Sequence, residues 1–442
     1  MIPRILISML LLFVLAATPV LGQGTVVDDT FYSDALGATR DMRVYLPEGY
    51  DPDEMIPYPV IYFLHGANSY SSDPSYLFLY DILDELIGHD DPEQAIQPLV
   101  MIVPDGSIPP YAGSMWADSD LYGPFEQYVV NDVIGHAESA YNVRTDKFGR
   151  AIDGYSMGGM GGMSIAMAHP TLFCAVASNS GGLDFRPFET EFFPNLLAEN
   201  GGSAPYEYIP SNGMLTYLTY TAAGAYSPNM MNPPYYVDFP LDTNGDMVQE
   251  TFDRWMEHSP GVRVVDVTPG EIGIFFCCGT NDELHLYTMN TGFAQILTDL
   301  GHPFTFESDD GTHGGAELLT RITRSIQFVN GYFEYIVPIE DPSEPDQVPE
   351  LATTTLRSAP NPFNPVTHLK FSLDRPQMVT LGIYDLTGRR VTELLAGTTE
   401  AGEHSHVWRG TADDGQQVPS GTYLARLTTE QRISTLKLQL VR

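Results

Sequence analysis

Apolar positions fall into two rhythms over the first three quarters of the chain. Tyr58–Leu64 and Leu99–Val103 are nearly unbroken apolar runs bounded by polar turns, the pattern of strands buried on both faces. Phe148–Ile152, Phe173–Ala177, Ile272–Cys278 and Phe304–Glu307 are further strands of this kind, and Thr25–Tyr32 and Arg43–Leu46 read as edge strands. Between them, Tyr76–Ile87, Phe125–Tyr141, Met157–His169, Leu284–Leu300 and Ala316–Tyr335 carry apolar residues three and four apart and predict helices with one face on a core. Strand and helix in alternation predict an α/β architecture, a mostly parallel, doubly wound sheet covered on both faces. Reactive groups then belong on loops at the carboxyl ends of strands. Gly182–Pro269, rich in Tyr, Pro, Met and Asn, breaks the rhythm; it is expected as an insertion or cap over the sheet edge that shapes a substrate cleft.

From residue 358 the period changes to two. Leu369–Leu373, Val379–Tyr384, Arg390–Leu395, His404–Trp408, Thr422–Leu427 and Ser434–Leu440 alternate with turns and predict a small all-β sandwich over 358–442. Seven prolines between Pro338 and Pro365 mark residues 338–357 as an acidic linker too broken to pack. At the other end, Arg4 followed by the apolar run Ile5–Ala17 and the small residues Val20 and Gly22 reads as a signal peptide over 1–22, cleaved before Gln23. A membrane anchor is the alternative, but the run is shorter than the roughly 20 residues a spanning helix needs. The first folded domain is then 23–337, and the protein is expected to be secreted or attached to the cell surface.

The sequence has 442 residues with 57 acidic and 21 basic side chains, a net charge of -36. The charge is not shared evenly. Residues 351–442 hold ten basic and eight acidic groups, whereas residues 23–350 hold ten basic and 49 acidic groups, net -39. So acidic a surface repels polyanions, which excludes nucleic-acid partners and polyanionic substrates. Cys174, Cys277 and Cys278 match no zinc spacing and are too few for a disulfide framework. Buried free thiols are the preferred reading; a bridge from Cys174 to one of the neighbouring pair is the alternative. Asp242–Asp246 has the look of a calcium loop, but Met247 stands where the loop needs glycine and Asp253 where it needs glutamate, so a polar turn before a helix over Met247–His258 is expected.

Gly154-Tyr155-Ser156-Met157-Gly158-Gly159 joins a strand to a helix, the setting in which a sharp turn lifts a serine hydroxyl clear of a sheet. Ser156 is therefore the candidate nucleophile. A serine needs a base, and in this arrangement the chain order is serine, acid, histidine. Asp282, in the loop after strand Ile272–Cys278, is the preferred acid, with Glu283 its rival. His313 lies on a loop beyond strand Phe304–Glu307; His285 falls on a helix, and His302 comes before its strand, at the wrong end of the sheet. The amide of Met157 is one candidate oxyanion donor. The second should come from His65-Gly66-Ala67-Asn68, where Ala67 is preferred and Gly66 is the alternative; His65 is expected to organise that loop. Trp116 and Tyr155 are the candidate substrate contacts.

The set Phe63-Leu64-His65-Gly66, Gly154–Gly159, Gly279-Thr280-Asn281-Asp282 and Gly311-Thr312-His313 resembles the putative-esterase family of α/β-hydrolases, which includes feruloyl esterases, S-formylglutathione hydrolase and mycolyltransferases. Ser119–Tyr128 is similar to the feruloyl-esterase branch, while Gly315 stands where the common Gly-x-His-x-Trp form has tryptophan. The resemblance covers roughly residues 25–336. It implies an α/β-hydrolase fold and a serine carboxylic-ester hydrolase working through an acyl-serine intermediate, without metal or cofactor, on feruloyl or acetyl esters of polysaccharide. An acyltransferase, a serine peptidase of the same fold, or a non-catalytic surface-binding protein are the alternatives. Asn361–Pro365, Tyr384–Arg389 and Ser420–Tyr423 resemble the immunoglobulin-like domain of flagellar hook-capping proteins, which overlaps with sorting domains of type IX secretion. That resemblance implies secretion machinery or the cell surface as a partner, with a passive spacer or carbohydrate-binding module as alternatives.

Overall fold

A computed structural model of the chain describes residues 23–91, 94–202, 212–333, 356–359, 363–373, 375–384, 390–412, 416–429 and 433–440. The expected signal peptide and almost all of the expected linker lie outside these residues. The chain divides into two compact units, one up to residue 339 and one from 340 onward.

In the first unit, β1 (Thr25–Ser33) and β2 (Ala38–Leu46) form a hairpin, followed by β3 (Val60–Leu64), α1 (Phe78–Ile87) and β4 (Val100–Pro104). A minimal hairpin of β5 (Asp118–Ser119) and β6 (Gly123–Pro124) leads into α2 (Phe125–Gln127), a π-helical turn at Tyr128–Val133 and α3 (Ile134–Ala140). The helix expected over Phe125–Tyr141 is thus interrupted by a wider turn. Then come β7 (Arg150–Gly154), α4 (Met157–Ala168) and β8 (Ala175–Asn179), and after a long excursion β9 (Gly273–Gly279), α9 (Leu286–Leu300), β10 (Thr305–Asp309) and α10 (Glu317–Asn330).

The eight strands order as β1-β2-β4-β3-β7-β8-β9-β10. β2 is antiparallel to both of its neighbours, and from β4 to β10 all pairs are parallel. β3, β4, β7, β8 and β9 are buried at every residue, which accounts for their unbroken apolar runs. Two apolar clusters cover the faces of the sheet, one including Tyr62, Ile152 and Phe276, the other Ile61, Phe63 and Ala177. The edges are β1 and β10. The edge expected at Arg43–Leu46 is not one: Met42, Val44 and Tyr45 are buried because β4 pairs along β2.

Among the described residues, the excursion between β8 and β9 holds the α-helices α5 (Phe192–Glu199), α6 (Met214–Tyr226), α7 (Gln249–Met256) and α8 (Pro260–Arg263). These two strands are neighbours inside the sheet, so the cap rises from the carboxyl end of β8, not from the sheet edge. A third apolar cluster, including Phe193, Tyr220 and Trp255, joins it to Met160 of α4 and Met289 of α9. Asp242 closes a turn by accepting hydrogen bonds from the amides of Asn244 (2.8 Å) and Asp246 (2.9 Å), the role expected of a polar turn.

The second unit contains β11 (Arg357–Ala359), β12 (Thr367–Leu373), β13 (Gln377–Tyr384), β14 (Arg390–Thr399), β15 (Gly402–Trp408), β16 (Gly421–Thr428) and β17 (Ile433–Leu440). Sheets ordered β11-β12-β15 and β14-β13-β16-β17 are antiparallel throughout, and Leu369, Leu381, Trp408 and Leu427 are buried in their common core.

Candidate active site

The turn after β7 is built by close backbone approach. A Cβ at Gly158 would stand 1.8 Å from the carbonyl oxygen of Leu64, and one at Gly154 would stand 2.4 Å from the carbonyl carbon of Gly158. Only glycine lets α4 start so near the ends of β3 and β7. Ser156, at the head of α4, takes φ 57° and ψ -119°. A non-glycine residue in that region stores on the order of 1–3 kcal/mol. The turn is held by its backbone, the Ser156 amide donating to Asn179 O (2.8 Å) and the Met160 amide donating to Ser156 O (3.0 Å).

Loops after β9 and β10 bring the expected acid and base to this serine. His313 Nε2 is 2.8 Å from Ser156 Oγ, and His313 Nδ1 is 2.8 Å from Asp282 Oδ2. Burial pushes Asp282 upward, but the hydrogen bond and charge of His313 and the Leu284 amide outweigh it, holding the carboxyl below its ordinary value. An ionised Asp282 fixes the tautomer: Nδ1–H donates to the carboxylate, and the Nε2 lone pair accepts from the serine hydroxyl. The Cys278 thiol also donates to Asp282 Oδ2 (3.6 Å). Glu283 takes a different position, accepting the backbone amide of His313 at 3.0 Å, so it steadies the loop and leaves the ring to Asp282.

The histidine loop is also held from α10. Arg321, 3% exposed, forms an ion pair with Asp309 and donates to Thr312 O (2.9 Å) and Ser180 Oγ (3.1 Å). Tyr155 Oη donates to His313 O (3.3 Å), and the two rings lie 5.3 Å apart. Sequence reading missed Arg321 and Asp309, whose sole signal was that arginine is scarce in this acidic domain.

Gly66 and Ala67 are separated by their partners. The Gly66 amide donates to Tyr76 Oη (2.8 Å) and is occupied, whereas Ala67 lines the cleft together with Ser156 and Met157. His65 organises this loop as expected: Nδ1–H donates to Gly66 O (2.9 Å), and Nε2 accepts the Gly106 amide (2.9 Å). His285 heads α9 in a left-handed conformation, φ 61°, and His302 is buried at the other end of the sheet.

Neither expected substrate contact lines the cleft. Trp116 is buried in the core with its indole donating to His65 O (3.2 Å), so neither its N–H nor its ring face is open to a ligand. Tyr155 is turned to the histidine loop. The cleft instead meets Met115, beside Trp116, and Phe185, Phe188, Phe192 and Trp255 of the cap. Proline and asparagine obscured the helical spacing there. Cys174, Cys277 and Cys278 are all buried and unbridged. Among the described residues no group of three or more His, Cys, Asp or Glu is placed to hold a metal ion.

Residues 33–313 match the family model described as "Putative esterase", and residues 364–432 match the FlgD Ig-like domain. An endo-1,4-beta-xylanase/feruloyl esterase of Xylanibacter ruminicola is 28% identical over 170 residues, 37% of this chain and 22% of that protein. Esterase Rv1288 of Mycobacterium tuberculosis is 28% identical over 161 residues, 35% of this chain and 32% of that protein. The chain thus spans less than a third of the length of these relatives. A solved ferulic acid esterase shares the fold at a TM-score of 0.50 and 22% identity, covering 71% of this chain and 99% of its own.

Proposed function

The chain belongs to the putative-esterase family of carboxylic-ester hydrolases, and we propose that it cleaves its ester through an acyl-serine intermediate on Ser156. The observation that carries this reading is the unbroken relay Asp282–His313–Ser156, two contacts of 2.8 Å ending at the floor of an open cleft. His313 Nε2 takes the serine proton as Oγ attacks the ester carbonyl. The amides of Met157 and Ala67 hold the developing oxyanion, and the proton on His313 passes to the leaving alcohol. Water then enters, gives its proton to His313 and releases the acid, while Asp282 stabilises each imidazolium as it forms.

The relative whose name joins xylanase and feruloyl esterase supports an acylated polysaccharide as substrate, with the acyl group chosen by the cleft beside Ser156. Export through residues 1–22 would place the enzyme outside the cell. The Ig-like unit would serve sorting by secretion machinery or attachment to the surface. The test is hydrolysis of 4-nitrophenyl acetate by the protein, its Ser156→Ala variant and its Asp282→Asn variant. Loss of about 10⁴-fold or more in kcat is expected for each, with folding intact. Wild-type rates no higher than those of folded Ser156→Ala would overturn the mechanism.

A further inference from the structure

The acyl group can be read from the walls of the cleft, given the reading of Ser156 as nucleophile. From Ser156 the cleft runs between the sheet and the cap and opens to solvent. Met160 of α4 and Met289 of α9 line it together with Phe188, Phe192, Leu218 and Trp255 of the cap. Among the described residues no charged side chain lines it. Its polar groups other than Ser156 are already engaged: Thr219, 1% exposed, donates Oγ1–H to Leu215 O (2.7 Å), and the Trp255 indole donates to Ser227 Oγ (2.9 Å). Thioether and aliphatic walls adapt to a flexible chain, and they offer no donor to a phenolic hydroxyl or methoxy group.

We propose that this cleft is an acyl site for an unsubstituted apolar acyl chain of about four to eight carbons, whose methylenes its apolar walls would cover. Acetyl leaves most of the apolar wall uncovered. A feruloyl ring carries a phenol and a methoxy group into a region that does not satisfy them. Each methylene buried against these walls is worth about fourfold in kcat/KM. Acetyl to butanoyl adds two methylenes, about tenfold or more. A hydroxyl carried into an apolar pocket costs about 10- to 100-fold.

The experiment keeps one leaving group and varies the acyl chain: 4-nitrophenyl acetate, butanoate, hexanoate, octanoate and ferulate, with the full-length protein. The expected kcat/KM rises at least tenfold from acetate to hexanoate, and hexanoate exceeds ferulate at least tenfold. Ala222→Phe, which puts a ring into the cleft from α6, should lower the hexanoate-to-acetate ratio at least fivefold in a variant with native circular dichroism. A flat or falling chain-length profile, ferulate faster than hexanoate, or an unchanged ratio in Ala222→Phe would each overturn the acyl site. If Ser156-dependent acetate hydrolysis persisted in those cases, the serine-esterase reading would stand without it. If folded wild type hydrolysed none of the esters faster than Ser156→Ala, the esterase reading and the acyl site would fall together.

Discussion

Asp153 precedes the nucleophile turn by two residues and is completely buried, so its titration should be readable as stability. Oδ1 accepts the Gly154 amide (2.7 Å) and Asn179 Nδ2 (2.9 Å), and Oδ2 lies 2.7 Å from Ser325 Oγ on α10. Burial pushes the carboxyl from 3.8 to about 7 against the pull of those hydrogen bonds. Between these values the folded chain keeps a proton that the unfolded chain has released. Stability contributed by this site therefore falls as pH rises through the window and levels off above about 7. At 1.36 kcal/mol per pH unit, the span from 3.8 to about 7 amounts to about 4 kcal/mol, and the part between pH 5 and 8 to about 3 kcal/mol. Asp153→Asn removes the titration and keeps the shape. The new amide donates to Ser325 Oγ, which passes its own proton to Ile322 O (2.9 Å), and Oδ1 keeps both of its donors. Urea unfolding of both proteins at pH 5, 6, 7 and 8 should show the variant gaining on wild type by about 3 kcal/mol across that range. Parallel stability curves, or a variant that loses ground as pH rises, would refute a proton on Asp153 at pH 5.

Three other expectations address the frame of the site. Gly158→Ala drives a Cβ into Leu64 O, so kcat/KM should fall at least about 100-fold as α4 shifts from the sheet; an ester assay showing near-wild-type rates would contradict the close approach. Arg321→Met strips the histidine loop of its ties to Thr312 O, Ser180 and Asp309, and should cost about 2–4 kcal/mol in urea unfolding together with a drop in kcat. Unchanged kcat at full occupancy would show that the loop holds itself. Cys174, Cys277 and Cys278 should resist iodoacetamide in the native protein and react completely in denaturant without reductant, since they are unbridged and burial pushes Cys174 up to about 12. Rapid native labelling, or a thiol missing after denaturation, would contradict their burial or their free state.

The chemistry of this chain was legible in its sequence because the constraints are local. Gly154 to Gly159 can adopt the turn around Ser156 only as a strand running into a helix, and chain order then narrowed the acid and base to Asp282 or Glu283 and His313. Unbroken apolar runs at Val60–Leu64 and Val100–Pro104 announced strands buried on both faces. Apolar spacing records how deeply a residue is buried and leaves its partners open. It therefore missed that β4 pairs along β2 and buries it, and apart from the helix at Met247–His258, seen as α7, it read the cap as irregular where α5 and α6 pack into one apolar cluster with α7, α4 and α9. That the Gly66 amide is occupied was decided by Tyr76, ten residues beyond it, and which acid meets the ring was decided by where β9 and β10 end. Trp116 showed the same limit, since an aromatic side chain packs equally well in a core or along a cleft until its neighbours are fixed. What the sequence determined alone was the kind of chemistry. The pairing of distant groups, and with it the apolar cleft, exists only once the sheet is assembled, because contact is a property of folded distance and not of spacing along the chain.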